Sequence, residues 1–442
     1  MTAGGVGSPG PALKTIGALL LLLVALPGNL LLTMVALVRG VWVKPQRRAA
    51  FCPVTVLVSG GKMTKALQLA RSFHASGHRV VLVESTKYRW TGHRFSNAVA
   101  TFRTVPPPDA PGYLEALRDV VVAEGVDLYV PVCSPVASQY DARSKRFLAD
   151  YCDVLTCEPD MVTALDDKYQ FYSLATTLGL SVPDSHLITS PQQVADFDFQ
   201  GRDESYILKS IAYDPVHRLD LTRLPLPTPA ETMAFAQSLP ISVSNPWIMQ
   251  AFIPGQEYCT HSTVRDGIVQ AYCCCTSSPF QVNYEMVQQP EIAEWVTRFV
   301  KALDLTGQLS FDFIQAPDGR VYAIECNPRT HSAVTMFYDH PDLAAAYLER
   351  GRPPIEPLAT SRPTYWLYHE LWRLLARPAS LSERLRVVRH GKEAIFAWSD
   401  PLPFLMEHHL QIPWLLLTNL RHGKDWMRVD FNIGKLVEPA GD

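Results

Sequence analysis

Residues 309–329, LSFDFIQAPDGRVYAIECNPR, restrict what this chain can fold into more than any other stretch. Two alternating runs flank Asp318-Gly319, a dipeptide suited to a two-residue hairpin turn because both positions tolerate positive φ. Counting outward from that turn sets Pro317 against Arg320, Asp312 against Glu325 and Ser310 against Asn327. Leu309, Phe311, Phe313, Tyr322, Ile324 and Cys326 then form a core face, with Asp312, Glu325 and Asn327 on the other. Directly opposed side chains sit about 5 Å apart, and like charges there destabilise the pair unless something neutralises them. A divalent cation does so, and oxygen donors with positions left open for water and phosphate suit Mg²⁺. The alternative is a solvated hairpin whose acids face water. Arg329 adds a planar guanidinium able to grip a phosphate through two bonds.

The chain has 442 residues, 47% of them hydrophobic, and a net charge of -3. That length supports two or three packed domains, and the near-neutral balance speaks against nucleic-acid binding. Its nine cysteines form no CxxC pair, which predicts reduced, mostly buried thiols in a cytosolic compartment. Residues 15–38 are nearly all apolar, broken only by Pro27-Gly28-Asn29, with Lys14 before them and Arg39, Lys44, Arg47 and Arg48 after. About 20 such residues span a bilayer. The break leaves a re-entrant or interfacial segment open as well, and a cleaved signal peptide competes. A retained membrane segment is the preferred expectation, with the basic flank placing the rest of the chain in the cytoplasm.

Further along, a strand (54–58), a Ser-Gly-Gly-Lys turn, an amphipathic helix (63–76) and a second strand (79–83) read as one unit of an open α/β layer. The turn at Ser59-Gly60-Gly61-Lys62 lacks the Walker and GxGxxG spacings, so substrate contact at the helix N-terminus is expected there instead. A helix (113–124) and a buried strand (128–132) continue the layer, whose outlet at 133–138 lies where such sheets place ligands. Lys168 opens a helix, an unfavourable place for a cation, and Lys209 sits among apolar residues of a strand (205–209) and calls for an anionic partner. A buried strand (247–253) leads into Pro254-Gly255-Gln256-Glu257, a second DG hairpin turns at Asp266-Gly267, and a helix (291–303) is predicted to pack on the main hairpin's sheet. Beyond about His340 no catalytic constellation is legible, although 413–417 beside Arg421, His422 and Lys424 suits a membrane surface.

In order and spacing, Lys168, Lys209, the segment 250–257 and the set Asp312, Glu325, Asn327 and Arg329 resemble the ATP-grasp ligases. The resemblance covers about residues 53–345. Longer runs, VSGGKMTKALQLARSFH (58–74), GHRFSN (92–97), VPVCSPVAS (130–138), 247–263 and 323–336, with the apolar N-terminus, resemble the mycosporine-glycine synthases of that superfamily.

This resemblance implies α/β and α+β architecture: an ATP-grasp fold with an N-terminal Rossmann-like pre-ATP-grasp domain, preceded by an apolar membrane segment. The implied domains are 1–50, 51–160, 161–345 with two lobes split near 260, and a C-terminal extension, 346–442. It further implies ATP held by Lys168, Lys209 and Ser210, with Gln250, Ala251, Phe252 and Ile253 around the adenine and Glu257 on the ribose. Asp312, Glu325 and Asn327 would hold two Mg²⁺ ions, Mn²⁺ being an admissible replacement. The loop after Lys209 lacks the usual glycines, so Ser210 and Arg218 are expected to substitute with side chains. Ser310 stands where some ligases carry arginine, which leaves Arg329, with Lys209 and Arg218, as the catalytic cations. His93, Arg94, Ser134, Ser138, Asn283 and His331 are the candidates for the ring pocket. The implied reaction joins 4-deoxygadusol to glycine, and a homodimer is compatible with it. An acyl-phosphate peptide or amino-acid ligase is the alternative, and a membrane-tethered nucleotide binder without catalysis is a third.

Overall fold

The computed structural model describes residues 10–43, 47–132, 134, 137–202, 204–212, 214, 216–217, 220–277 and 283–438. Helix α1 (Pro11–Trp42) runs unbroken through Pro27. The sequence break at 27–29 is bridged because Asn29 is buried and its side chain donates to the Tyr368 hydroxyl at 3.2 Å.

Five parallel strands follow, β1 (Thr55–Val58), β2 (Arg79–Ser85), β3 (Thr101–Val105), β4 (Leu128–Val130) and β5 (Asp153–Val154), in the order β3-β2-β1-β4-β5. Alternation along β1 decides which helix covers which face. Val56 and Val58 pack with α2 (Thr64–Ala75), and Leu57 packs with α3 (Tyr113–Glu124). Helices α4 (Ser138–Phe147) and α5 (Pro159–Asp166) lead to α6 (Lys168–Thr177), where the Asp167 carboxylate caps the amides of Tyr169 and Gln170.

A small antiparallel sheet comes next, with β8 (Trp247–Ala251) between β6 (Ser185–Ile188) and β7 (Tyr206–Ser210). Helices α7 (Pro191–Ala195) and α8 (Pro229–Ser238) close its core around Tyr206, Trp247 and Met249. The second antiparallel sheet has the order β10-β9-β12-β13, from β9 (Gln256–Arg265), β10 (Ile268–Thr276), β12 (Gly307–Gln315) and β13 (Val321–Asn327). Between its two hairpins lie β11 (Asn283–Tyr284) and α9 (Pro290–Ala302), and α9 lays Ile292, Trp295, Val296, Phe299 and Val300 onto the sheet. The eight described cysteines are free, and Cys259 faces Cys275 across β9 and β10 with sulfurs 3.3 Å apart.

The main hairpin keeps its predicted centre and departs near its end. Ser310 pairs with Asn327 and Asp312 with Glu325, but Phe313 then pairs with Ala323, so Ile324 is an extra residue in β13. The turn is the three residues Pro317, Asp318 and Gly319, closed by the Ala316 amide on the Arg320 carbonyl at 2.9 Å. Pro317 therefore does not face Arg320, and Tyr322 and Ile324 are not on the core face. Val321 and Ala323 take those places, and the bulge restores Cys326 to the core.

After α10 (Leu343–Leu348), β14 (Thr364–Tyr365) joins β11 to β15 (Lys392–Glu393). Helices α11 (Leu367–Ala376), α12 (Leu381–His390) and α13 (Leu402–Met406), a π-helical turn (Glu407–Gln411), α14 (Ile412–Arg421) and the hairpin of β16 (Arg428–Asp430) and β17 (Lys435–Val437) complete the chain. Of these elements, α10, α11, α13, α14 and the β16–β17 hairpin share one hydrophobic core with α1, β1 and α2, and α12 has no buried residue.

The C-terminal hairpin also seals the first turn of α2. The Thr64 amide donates to the Asn432 carbonyl at 2.9 Å and the Lys62 amide to Glu84 at 3.0 Å. Gly434 has φ +60 and packs so close that a Cβ there would lie 2.2 Å from the Lys62 carbonyl. The amides of Lys62 and Thr64 are thus used by the chain itself, which speaks against the substrate contact predicted at this helix N-terminus.

Candidate functional site

The face of the main hairpin opposite the core gathers the charged residues. On the β12–β13 pair, burial and the facing Glu325 push the Asp312 carboxyl up to about 7, against the pull of Arg329. Burial acts on Glu325 in the same direction, but Lys168 Nζ, 3.2 Å from Oε1, with Arg329 and Lys209 holds it below the ordinary carboxylate range. The start of α6 puts Lys168 there, which accounts for a cation at that unfavourable end. Lys209, at the end of β7, has its ammonium pKa lowered by burial and then by Lys168. Arg329 lies 3.3 Å from Asp166 and donates to the Asn327 side-chain oxygen. Asn327 consequently presents its amino group to Asp312, at 3.5 Å.

The two antiparallel sheets meet along the other wall. Gln250 on β8 lies 3.1 Å from the Tyr172 hydroxyl, which donates to the Ile324 carbonyl at 2.7 Å and so ties the small sheet to the bulge. The amides of Ala251 and Phe252 donate to the Asp184 and Ser205 carbonyls, at 2.8 and 2.7 Å. Those two amides are used inside the small lobe, and Ile253 after them is half-buried. Arg223 stacks 4.0 Å over the Phe252 ring. Gly255 lets the connection turn tightly, since a Cβ there would lie 2.0 Å from the Gln315 carbonyl. Glu257 follows on β9, exposed and opposite Ile314, and Ser210 closes β7 opposite Trp247.

The ring-pocket candidates divide. His331 is brought beside the charged face, its ring 5.4 Å from Tyr284, next to Asn283 on β11. Burial, then Lys65 and Arg329, lowers the His331 pKa to about 3. Ser134 and Ser138 stand past β4, where the Ser138 hydroxyl donates to the Ser134 carbonyl at 3.3 Å. His93 is not in a cleft: it is wholly buried, between the Gly61 carbonyl at 2.9 Å and Glu407 at 2.8 Å. Arg94 turns away as well, donating to the Arg89 carbonyl at 2.7 Å over the rings of Trp90, Phe95 and Phe102. Arg218 lies outside the described residues.

Two participants escape sequence reasoning. Lys65 is buried on α2 and donates to the Thr330 carbonyl at 2.6 Å, beside His331; its signal was a lysine at a core position of an amphipathic helix. Asp166, the partner of Arg329, was legible only as part of a helix start.

A divalent cation fits the donor set in part. Two opposed carboxylates, one raised by burial and by the charge of the other, suit a hard ion, which would offset that repulsion. Among the described residues no group of three or more His, Cys, Asp and Glu side chains is placed to hold a metal ion, so the third protein donor would be the Asn327 oxygen, and Arg329 must release it first.

No family description and no curated protein matches the sequence. Solved structures do. An ADP complex of N5-carboxyaminoimidazole ribonucleotide synthetase aligns with a TM-score of 0.54 at 13% identity over 75% of this chain and 88% of that one. The Staphylococcus aureus N5-carboxyaminoimidazole synthetase with ADP gives 0.51 at 14%, over 72% and 82%. A Campylobacter jejuni biotin carboxylase complexed with β-γ-ATP gives 0.52 at 13%, over 68% and 72%. These likenesses show the fold, which is ATP-grasp with a parallel-sheet N-terminal unit.

Proposed function

We propose that this chain is an ATP-dependent ligase that phosphorylates the enol oxygen of 4-deoxygadusol and condenses it with glycine, giving mycosporine-glycine, ADP and phosphate. The observation that carries the ligase reading is the gathering of Lys168, Lys209, Asp312, Glu325, Asn327 and Arg329 on one face between two sheets. Neighbours in complex with ADP and β-γ-ATP support an adenine nucleotide there. The substrate pair rests on the resemblance of the long sequence runs to those of mycosporine-glycine synthases.

In this reading Lys168 and Lys209 lie along the nucleotide phosphates, Ser210 adds a hydroxyl, Ile253 faces the adenine and Glu257 the ribose. Asp312, Glu325 and Asn327 would hold two Mg²⁺ ions, which supply charge neutralisation across the phosphate oxygens. Arg329 is a switchable group. A phosphate oxygen that draws its guanidinium away frees the Asn327 oxygen, so that seating the nucleotide completes the metal set.

4-Deoxygadusol behaves as a vinylogous acid whose hydroxide is a poor leaving group. Phosphorylation of the enol oxygen breaks the β–γ phosphoanhydride and makes phosphate the leaving group. Glycine's amine adds to the ring carbon that bears the phosphorylated oxygen, the C–O bond breaks as phosphate departs, and the nitrogen loses a proton. The protein's contribution is orientation and exclusion of water in the cleft.

Protein incubated with ATP, Mg²⁺, 4-deoxygadusol and glycine should give a red-shifted ultraviolet band and a product of the condensed mass, only with all components present. ADP without that product would keep the ATP chemistry and reject the substrates, leaving the acyl-phosphate ligase as the reading. No turnover with any acceptor would reject the ligase.

A further inference from the structure

Helix α1 is long and apolar enough to cross a membrane, yet 22% of its most apolar window is buried. The buried positions, Thr15, Leu22, Asn29, Thr33 and Ala36, form one stripe along the whole helix. Its ties reach the C-terminal part at several turns. Lys14 donates to the Met427 carbonyl at 3.1 Å, Trp426 donates to the Thr15 hydroxyl at 2.9 Å, and Asn29 donates to Tyr368. Arg39 lies 5.1 Å over the Trp398 ring. Held at its first, middle and last turns, α1 lies along the protein surface and does not project from it.

Its partners cannot enter hydrocarbon with it. Gln411, at the foot of α14, accepts from the Gly92 amide and donates to the Gly434 carbonyl, both at 2.7 Å, which fixes α14 to the parallel-sheet unit. The outward face of α1 is another matter: Leu20, Leu23, Val24, Leu31, Val38 and Val41 are each more than half exposed. Beside it, Trp414 and Leu417 on α14 and Trp372 and Leu375 on α11 are exposed too. The charge around them is positive. In 370–390, Arg373 and Arg384 are paired with Glu370 and Arg384 also with Glu383, which leaves exposed Arg377, Arg386 and Arg389, and exposed Arg421 and Lys424 at the end of α14 outnumber Asp425 beside them.

We propose that α1, flanked by α14 and α11, is a monotopic platform lying within one leaflet of an anionic bilayer, its axis in the membrane plane. An apolar helix face sinks about 5–10 Å into the boundary between headgroups and acyl chains. Tryptophans favour that boundary, and arginines beside it are attracted to anionic headgroups. The inference is independent of the ligase reading.

The two ends of α1 report on it. The full chain is made by cell-free translation with sealed phosphatidylcholine vesicles, with or without phosphatidylglycerol, and then floated. A membrane-impermeant maleimide probes exposed Cys52 in one sample and Gly10→Cys in a Cys52→Ser chain in another. Expected results are flotation of the intact chain, labelling of both ends from outside, and roughly ten-fold weaker flotation without phosphatidylglycerol or with Trp414→Glu. Protection of the Gly10→Cys end would mean a spanning helix and overturn the proposal. So would absence of flotation, loss of α1 by cleavage, or a soluble oligomer that hides α1 when vesicles are omitted.

Discussion

Asp312 and Glu325 face each other at a cost that the hairpin accepts for chemistry. Asp312→Asn should therefore leave the magnesium-free protein as stable or up to about 1 kcal/mol more stable in thermal melts, because it removes a like-charge pair. The same change should lower ADP release at least about 100-fold. Loss of stability along with activity would instead make Asp312 a structural partner. Arg329→Lys keeps the charge and loses the planar fork that engages Asn327 and Asp166. Its kcat should fall about 10²–10³-fold, with the KM for ATP moving far less; an unchanged kcat would remove Arg329 from the reaction. At this scale the sequence was informative where chemistry is local. Asp312 and Glu325 follow from counting along one hairpin, and Lys168 from its place at a helix start. His93 was misjudged because its surroundings are set by Glu407, 314 residues away, which no local pattern shows.

The hairpin itself was legible for an instructive reason. A three-residue turn in place of two shifts the pairing by one, and the extra Ile324 shifts it back, so two departures cancel before Asp312 is reached. Only the residues between them, Val321 to Ile324, were assigned to the wrong faces. The connections are less forgiving. Gly255→Ala would drive a Cβ into the Gln315 carbonyl, and Gly434→Ala would do the same to the Lys62 carbonyl at positive φ. Each should cost about 1–3 kcal/mol, read as a lower denaturant midpoint. If Gly434→Ala leaves the midpoint unchanged, the C-terminal hairpin does not hold the first turn of α2. Short strands such as β5 and the paired strands β11, β14 and β15 gave no sequence signal, since two residues carry no periodicity.

Across the whole molecule, buried histidines set an acid limit. Burial lowers the pKa of His93, His261 and His408 from 6.5 to about 3. A base with a depressed folded pKa binds fewer protons folded than unfolded, so its contribution is lost as pH falls below 6.5 toward 3. Glu407 and Glu393 have the opposite shift, and acidification favours their folded, protonated forms until the unfolded carboxyls also protonate near 4.5. Below that pH the histidines are unopposed by these acids. Stability should then fall by about 1.4 kcal/mol per pH unit for each histidine. Urea midpoints measured downward from about pH 4.5 check this, and a flat profile would contradict it. The C-terminal part, which holds His408 and Glu407, packs against elements some 300 residues earlier, contacts that no local pattern shows. The longest of those ties has a temporal side. Lys14 meets the Trp426 carbonyl 412 positions later, and ribosomes add about 5–20 residues per second. Roughly 20–80 s of synthesis therefore separate the apolar helix from its protein partner, an interval in which a chaperone or the membrane must shelter it.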